Sequence, residues 1–140
     1  MINLDFILAG NATFTISNSA GVRYTYKVKR SKMTHGYDRE STFVSLLTGA
    51  DNEIDYTYLG MLVEGNRVIT TRASRMSADS LPVKVINWAI NQLERFGQLP
   101  EGYSIHHEGR CGRCGRTLTV PESIDSGIGP ECQRIMASGN

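Results

Sequence analysis

This sequence has no run approaching the ~18 consecutive apolar residues that a membrane span requires. It also lacks an export leader: MINLDFILAG carries no basic residue, and Asp5 interrupts its apolar stretch. Neither membrane insertion nor export is expected, and the chain reads as cytoplasmic. An excess of charge of one sign is missing too. With 15 Lys and Arg against 14 Asp and Glu, the net charge is +1, so bulk charge favours neither nucleic acid nor an anionic membrane. Cysteine is scarce, at 3 residues. Three cysteines cannot all pair, and in a reducing cytoplasm they are expected as thiolates and not as disulfides. No phosphate-cradling glycine loop, nucleophile elbow or His-Glu-x-x-His pair is present, which removes the motif-based arguments for several enzyme classes.

What is present has the pattern of an α+β protein. Phe14 and Ile16 alternate with threonine and serine, and Val22, Tyr24, Tyr26 and Val28 alternate with Arg23, Thr25, Lys27 and Lys29. Two period-2 runs around a Ser/Asn/Gly turn predict a β-hairpin with one apolar and one polar face. STFVSLLTG, YTYLGMLV and RVITT read as three further strands joined by short turns, which favours an antiparallel meander of about five strands. Residues 3–9 fit a short helix or a strand equally. From Leu81 to Phe96 the period becomes helical, with Val83, Ile86, Ala89, Ile90 and Leu93 on one face. Ser80 is the expected N-cap, Pro82 suits the first turn and Gly97 the position past the end. Trp88 is expected at the edge of the helix–sheet contact. The expected division is a sheet-plus-helix domain over 1–100 and a small zinc-binding module over 101–140 docked on it.

That module holds every cysteine. Cys111-Gly112-Arg113-Cys114-Gly115 has the form of a zinc knuckle, in which glycine at 112 and 115 permits the sharp turn that brings two thiolates to one ion. Arg116 to Val120 reads as a strand leading away. Cys132 follows Gly129-Pro130-Glu131, and proline at a first helical position puts Cys132 in the first turn of a C-terminal helix, where thiolate is favoured. Knuckle, strand and helix-borne ligand suggest a treble-clef or ribbon-like module. Zinc takes four ligands. Histidine is the natural fourth: His107 is the first choice, then His106, then His35. Neighbouring side chains on an extended segment point to opposite faces, so only one of His106 and His107 can reach the ion. Four protein ligands make the expected Zn²⁺ structural, and the segment is too short to fold without it. Iron–sulfur ligation fits less well, because it usually takes four cysteines.

Cys111–Arg116, Leu118-Thr119, Pro121–Ile124 and Gly127–Pro130 with Cys132 resemble the C-terminal module of a family of small proteins carried largely by phages and prophages. AGNATFTI and LTGADNEIDYTYLG resemble segments joined to that module. The resemblance implies a small phage-encoded zinc-binding protein working in the cytoplasm of a bacterial host. It implies no reaction.

Three functions follow as expectations. The first is binding of nucleic acid or a nucleoprotein complex through Arg23, Lys27, Lys29, Arg30 and Lys32 of the hairpin and Arg110, Arg113 and Arg116 of the knuckle, with strong salt dependence. Tyr24 and Tyr26 could stack on bases only if their face were open, and a core position is the plainer expectation. The knuckle arginines could instead shield thiolates. The second is a host-protein-binding inhibitor of bacterial defence, of the anti-CRISPR kind, with Asp51, Glu53 and Asp55 beside Tyr56 and Tyr58 imitating phosphates; the alternative for those acids is a polar turn. The third and weakest is an enzyme using His35, Asp38 and Glu40. Binding and not catalysis is the expectation.

Overall fold

The structure is a computed structural model and describes residues 2–32 and 40–138. Six antiparallel strands form one sheet: β1 (Asn11–Asn18), β2 (Arg23–Lys32), β3 (Glu40–Leu47), β4 (Tyr56–Val63), β5 (Arg67–Ile69) and β6 (Tyr103–His107), in the order β5-β4-β3-β2-β1-β6. The expected meander is present. The sheet also gains a sixth strand from the segment assigned to the C-terminal module, where β6 lies along β1 with Ile16 opposite Ile105. His35 and Asp38 lie outside the described residues.

Alternation sets the register. Ala12, Phe14 and Ile16 are buried and stand opposite Val28, Tyr26 and Tyr24. A one-residue slip would turn this apolar row to the opposite face. The β1–β2 turn is closed by Asn18, whose side-chain oxygen accepts the amides of Ala20 and Val22 at 3.0 Å each. The short segment 3–9 resolves as helix α1 (Leu4–Ile7), capped by Asn3, whose Oδ1 accepts the Asp5 amide. It delivers Phe6 and Ile7 into the core, both fully buried.

Helix α2 (Leu81–Phe96) has the expected bounds and buries Val83, Ile86, Ala89, Ile90 and Leu93. Gly97 ends it in the left-handed conformation, φ 72°, with its amide on Leu93 O. The expected cap is not used: the Ser80 hydroxyl donates back to Ser77 O at 2.7 Å and makes no cap bond to the helix. The helix start is held from the sheet instead. Tyr26 is fully buried, and its hydroxyl donates to Pro82 O at 2.6 Å. Burial, with Tyr24 adding to it, raises the Tyr26 phenol far above its ordinary range, so it stays a donor. Trp88 is half-buried at the rim, 4.7 Å from the ring centre of Tyr103 on β6. No helix among the described residues is long and apolar enough to cross a membrane.

Asn87 has a second task for α2. Its side-chain oxygen accepts the Val68 amide at 2.7 Å, and its nitrogen donates to Val68 O at 3.0 Å. Both backbone groups of the middle residue of β5 are satisfied this way. Asn87→Ala leaves them unpaired in a partly buried place, which costs about 1–3 kcal/mol. Urea unfolding should show the midpoint falling accordingly, and an unchanged midpoint would refute the assignment.

Candidate metal centre

The cysteine segment folds as a small ring of backbone bonds. The Cys111 amide donates to Arg116 O at 2.8 Å, Gly115 N to Cys111 O at 2.9 Å and Leu118 N to Gly109 O at 2.8 Å. Gly115 takes φ 78°, which a residue with a Cβ adopts only under strain. The expected strand over 116–120 reduces to one bridge, Arg110 to Thr117. Helix α3 (Pro121–Ser126) follows, unforeseen although Pro121 stands in its first turn and Gly127 ends it at φ 78°. Helix α4 (Pro130–Ala137) begins as expected, with buried Cys132 in its first turn.

These pieces bring Cys111, Cys114 and Cys132 together. Their sulfurs lie within 4.8 Å of one another, and no disulfide joins them. Two sulfurs of one zinc tetrahedron stand about 3.8 Å apart at the usual ~2.3 Å bond length, so a small contraction closes the site on an ion. Cys111 and Cys132 are buried and Cys114 is exposed. The donors suit thiolates. Arg113 N and Gly129 N point at Cys111 Sγ from 3.4 and 3.3 Å, and Arg113 Nη1 approaches Cys132 Sγ at 3.5 Å. Burial by itself would raise the Cys111 thiol, but the amides of Gly129, Cys114 and Arg113 and the Cys114 side chain outweigh it and bring it down to about 7. Burial raises the Cys132 thiol; the Arg113 guanidinium opposes the rise, and the neighbouring sulfurs add to it. The three cysteines can therefore hold a metal ion.

His107, the expected fourth ligand, is not part of the three-sulfur group. The two histidines do face opposite sides of β6, as His107 stands opposite buried Phe14 and His106 opposite Thr15. His107 is on the side of the module, 5.8 Å from the Phe6 ring. Both of its ring nitrogens are taken, however. Nδ1 accepts the Gly109 amide at 2.8 Å, which leaves Nε2 to donate to Ile124 O at 2.5 Å. His107 thus ties the sheet edge to the knuckle and to α3, and its ring is outside the three-sulfur group. Among the described residues, no histidine, aspartate or glutamate joins that group.

The basic residues separate into different environments. Arg23, Lys27 and Lys29 share the face of β2 turned away from α2. Arg30 leaves that row, with Nη2 donating to Leu8 O at 2.8 Å behind α1. The Lys32 side chain lies outside the described residues. Arg110 pairs with Glu53 at 3.5 Å, both exposed, near Lys27, whose ammonium bonds Glu53 O and sits 4.4 Å from the Tyr56 ring centre. Arg113 and Arg116 line a cavity over the cysteines, and Arg113 contacts the Cys132 sulfur, where it would shield a thiolate. Tyr24 and Tyr26 face the core side, Tyr26 completely.

A family model matches here. It describes a family of unknown function, DUF6011, and covers residues 105–137. The matched span contains the three cysteines, His106 and His107, both short helices and part of β6. No curated protein and no solved structure matches the chain.

Two outcomes test this geometry. Cys132→Ser should abolish tight uptake of one Zn²⁺ or Co²⁺ per chain, whereas His107→Ala should keep it and lower unfolding stability by about 1–3 kcal/mol through its two lost hydrogen bonds. Loss of metal stoichiometry in His107→Ala would restore it as a ligand. Ligand thiols bind as thiolates, so affinity should fall throughout the range from pH 8 to 6, because the Cys132 thiol is raised, and more steeply below about 7, where Cys111 also takes up its proton. Chelator competition at pH 6, 7 and 8 reads this directly, and a flat profile would contradict it.

Proposed function

We propose that the protein binds single-stranded nucleic acid, or a nucleoprotein carrying it, across the face of the sheet turned away from α2, and that Zn²⁺ in the three-cysteine site holds the C-terminal module in its fold. The observation that carries this reading is the composition of that face. It has no fully buried side chain, and it interleaves cations with aromatics. Lys29 stands opposite Phe43, Lys27 opposite Ser45, and Ser45 opposite Tyr58. The Phe43 and Tyr58 rings meet edge to face with centroids 6.0 Å apart, and both are half-buried. Aromatic platforms beside lysines are the usual means of holding single strands, with stacking tolerant of sequence and phosphates neutralised alongside.

Charge sets the path. Glu53 and Glu108 border a pocket next to Lys27 and Arg110, and carboxylates there repel phosphate. A strand therefore runs from Lys29 over Phe43 toward Tyr58 and Met61, away from the 51–55 turn. Arg23 extends the cationic row at the other end of β2. The zinc assignment is supported by the closed-shell ion's preference for tetrahedral thiolate sites and by the amide and guanidinium donors around the sulfurs. The phage-like motif across 111–132 supports placement in a bacterial host cell. Binding accounts for these features without a reaction.

The protein-binding alternative draws no support from its acidic turn. The Asp55 carboxylate accepts the Asp51 amide, and the Asp51 carboxylate accepts the Glu53 amide, both at 2.8 Å. Glu53 in turn pairs with Arg110. These acids build the turn and meet a cation of the same chain.

Fluorescence anisotropy with labelled single-stranded DNA and RNA tests the reading. Affinity should fall steeply with salt. Phe43→Ala should weaken it about tenfold, within the ~1–3 kcal/mol of one stacked base. Lys29→Glu should weaken it and flatten the salt slope by about one ion or more. No binding at low salt, or equal affinity in Phe43→Ala, would refute the assignment. A host protein retained after nuclease treatment at moderate salt would favour the alternative.

A further inference from the structure

The three sulfurs define three corners of a tetrahedron, and the fourth points to a further function. Among the described residues, the nearby donors are committed elsewhere. His107 uses both ring nitrogens on Gly109 and Ile124. His106 stands opposite Thr15, on the other side of the sheet. Glu131, next to Cys132, has its carboxylate held by Arg134 one helical turn on. Beside the three sulfurs, the described residues enclose a cavity of about 390 Å³, bounded by the cysteines, by Leu118, Val120 and Ile135, and by Arg113, Arg116 and Glu131.

We propose that a metal ion held by Cys111, Cys114 and Cys132 takes its fourth ligand from outside the chain, and that this cavity admits a small anionic thiol. The inference rests on the three-sulfur metal reading. Three considerations select the ligand. A divalent ion with three thiolates carries −1, Arg113 and Arg116 add +2, and Glu131, which also lines the cavity, is offset by its pair with Arg134, so the local sum is +1 and one or two negative charges are accommodated there. Leu118 is buried and Val120 is exposed at the wall, which suits a short carbon chain between the donor atom and the charged end. An ion already bound by thiolates favours another soft donor over carboxylate oxygen. On entry the thiol gives its proton to solvent and coordinates as thiolate through a new sulfur–metal bond; no electrons are transferred.

The same arrangement serves the folding role. An ion with three protein ligands still ties the knuckle to α4, while the fourth position remains exchangeable, the pattern that distinguishes open zinc sites from closed ones.

Cobalt substitution tests this, because sulfur–cobalt charge-transfer absorption counts thiolates. The full chain loaded with Co²⁺ and freed of added thiol is titrated with 2-mercaptoethanesulfonate. The band should grow by about one third as four sulfurs replace three, with the cobalt remaining bound. Val120→Trp, which fills the cavity, should retain the three-sulfur band and lose the response. Arg116→Ala should weaken the sulfonate thiol about fivefold, the size of one partly exposed charge contact, and leave 2-mercaptoethanol unchanged. A loaded spectrum that does not respond to excess thiol would mean that the chain supplies the fourth ligand, and the proposal falls. An equal response to imidazole or acetate, or extraction of the cobalt by thiol, also overturns it. Failure to take up Co²⁺ at all would remove the metal reading itself, a separate and recognisable result.

Discussion

One buried ring, Phe6, packs between the sheet and the C-terminal module. Phe6 meets Phe14 of the sheet at 6.3 Å between centroids and His107 at 5.8 Å. On its other side it lies against backbone. A Cβ at Gly112 would come 2.6 Å from Phe6 Cδ2, and one at Gly127 would come 2.5 Å. Both glycines are therefore required by contact, and Gly127 also by its φ of 78°. Around the ring, Asn11 N donates to Gly112 O at 2.7 Å and Gly112 N to Gly127 O at 2.8 Å. Sheet, knuckle and α3 are thus bonded in series about Phe6. Apolar packing of this kind is intolerant of added volume, and Gly112 beside Cys111 is placed by it.

Long periodic signals were legible in the sequence. The five buried positions of α2 and its glycine terminus, the β1–β2 hairpin and the helix carrying Cys132 each follow from a repeat or a strong stop residue. Shorter features were not. β6 has only five residues, and nothing in YSIHH says that it will lie beside β1 across some ninety residues of chain. α3 had local signs in Pro121 and Gly127, but the same stretch also reads as a linker. The glycines show a different limit. Gly112 was assigned to a tight turn, yet its φ is not positive, and its reason is a side chain from the other end of the chain. His107 is the clearest case. Residue type and spacing suit a metal ligand, and only the positions of Gly109 N and Ile124 O show that the ring is already occupied.

The cations illustrate the same point at the surface. In sequence, Arg23 to Lys32 and Arg110 to Arg116 look like two halves of one basic patch. In space, Arg30 is turned to a helix carbonyl, Arg113 to a sulfur and Arg110 to a carboxylate. Each charge answers a nearby acceptor, as expected where net charge is close to zero. Meanwhile the aromatics of the outward face, Phe43 and Tyr58, come from strands whose sequence reads simply as apolar, whereas Tyr24 and Tyr26 belong to the core side, the plainer expectation from sequence.

The amide of Asn87 has a consequence beyond the stability of α2. By engaging both Val68 N and Val68 O, it takes the place of the next strand at the β5 margin. A margin closed in this way offers no free ladder at its centre to a foreign extended segment. One side chain, borrowed from the covering helix, thereby guards that border of the sheet against runaway self-association.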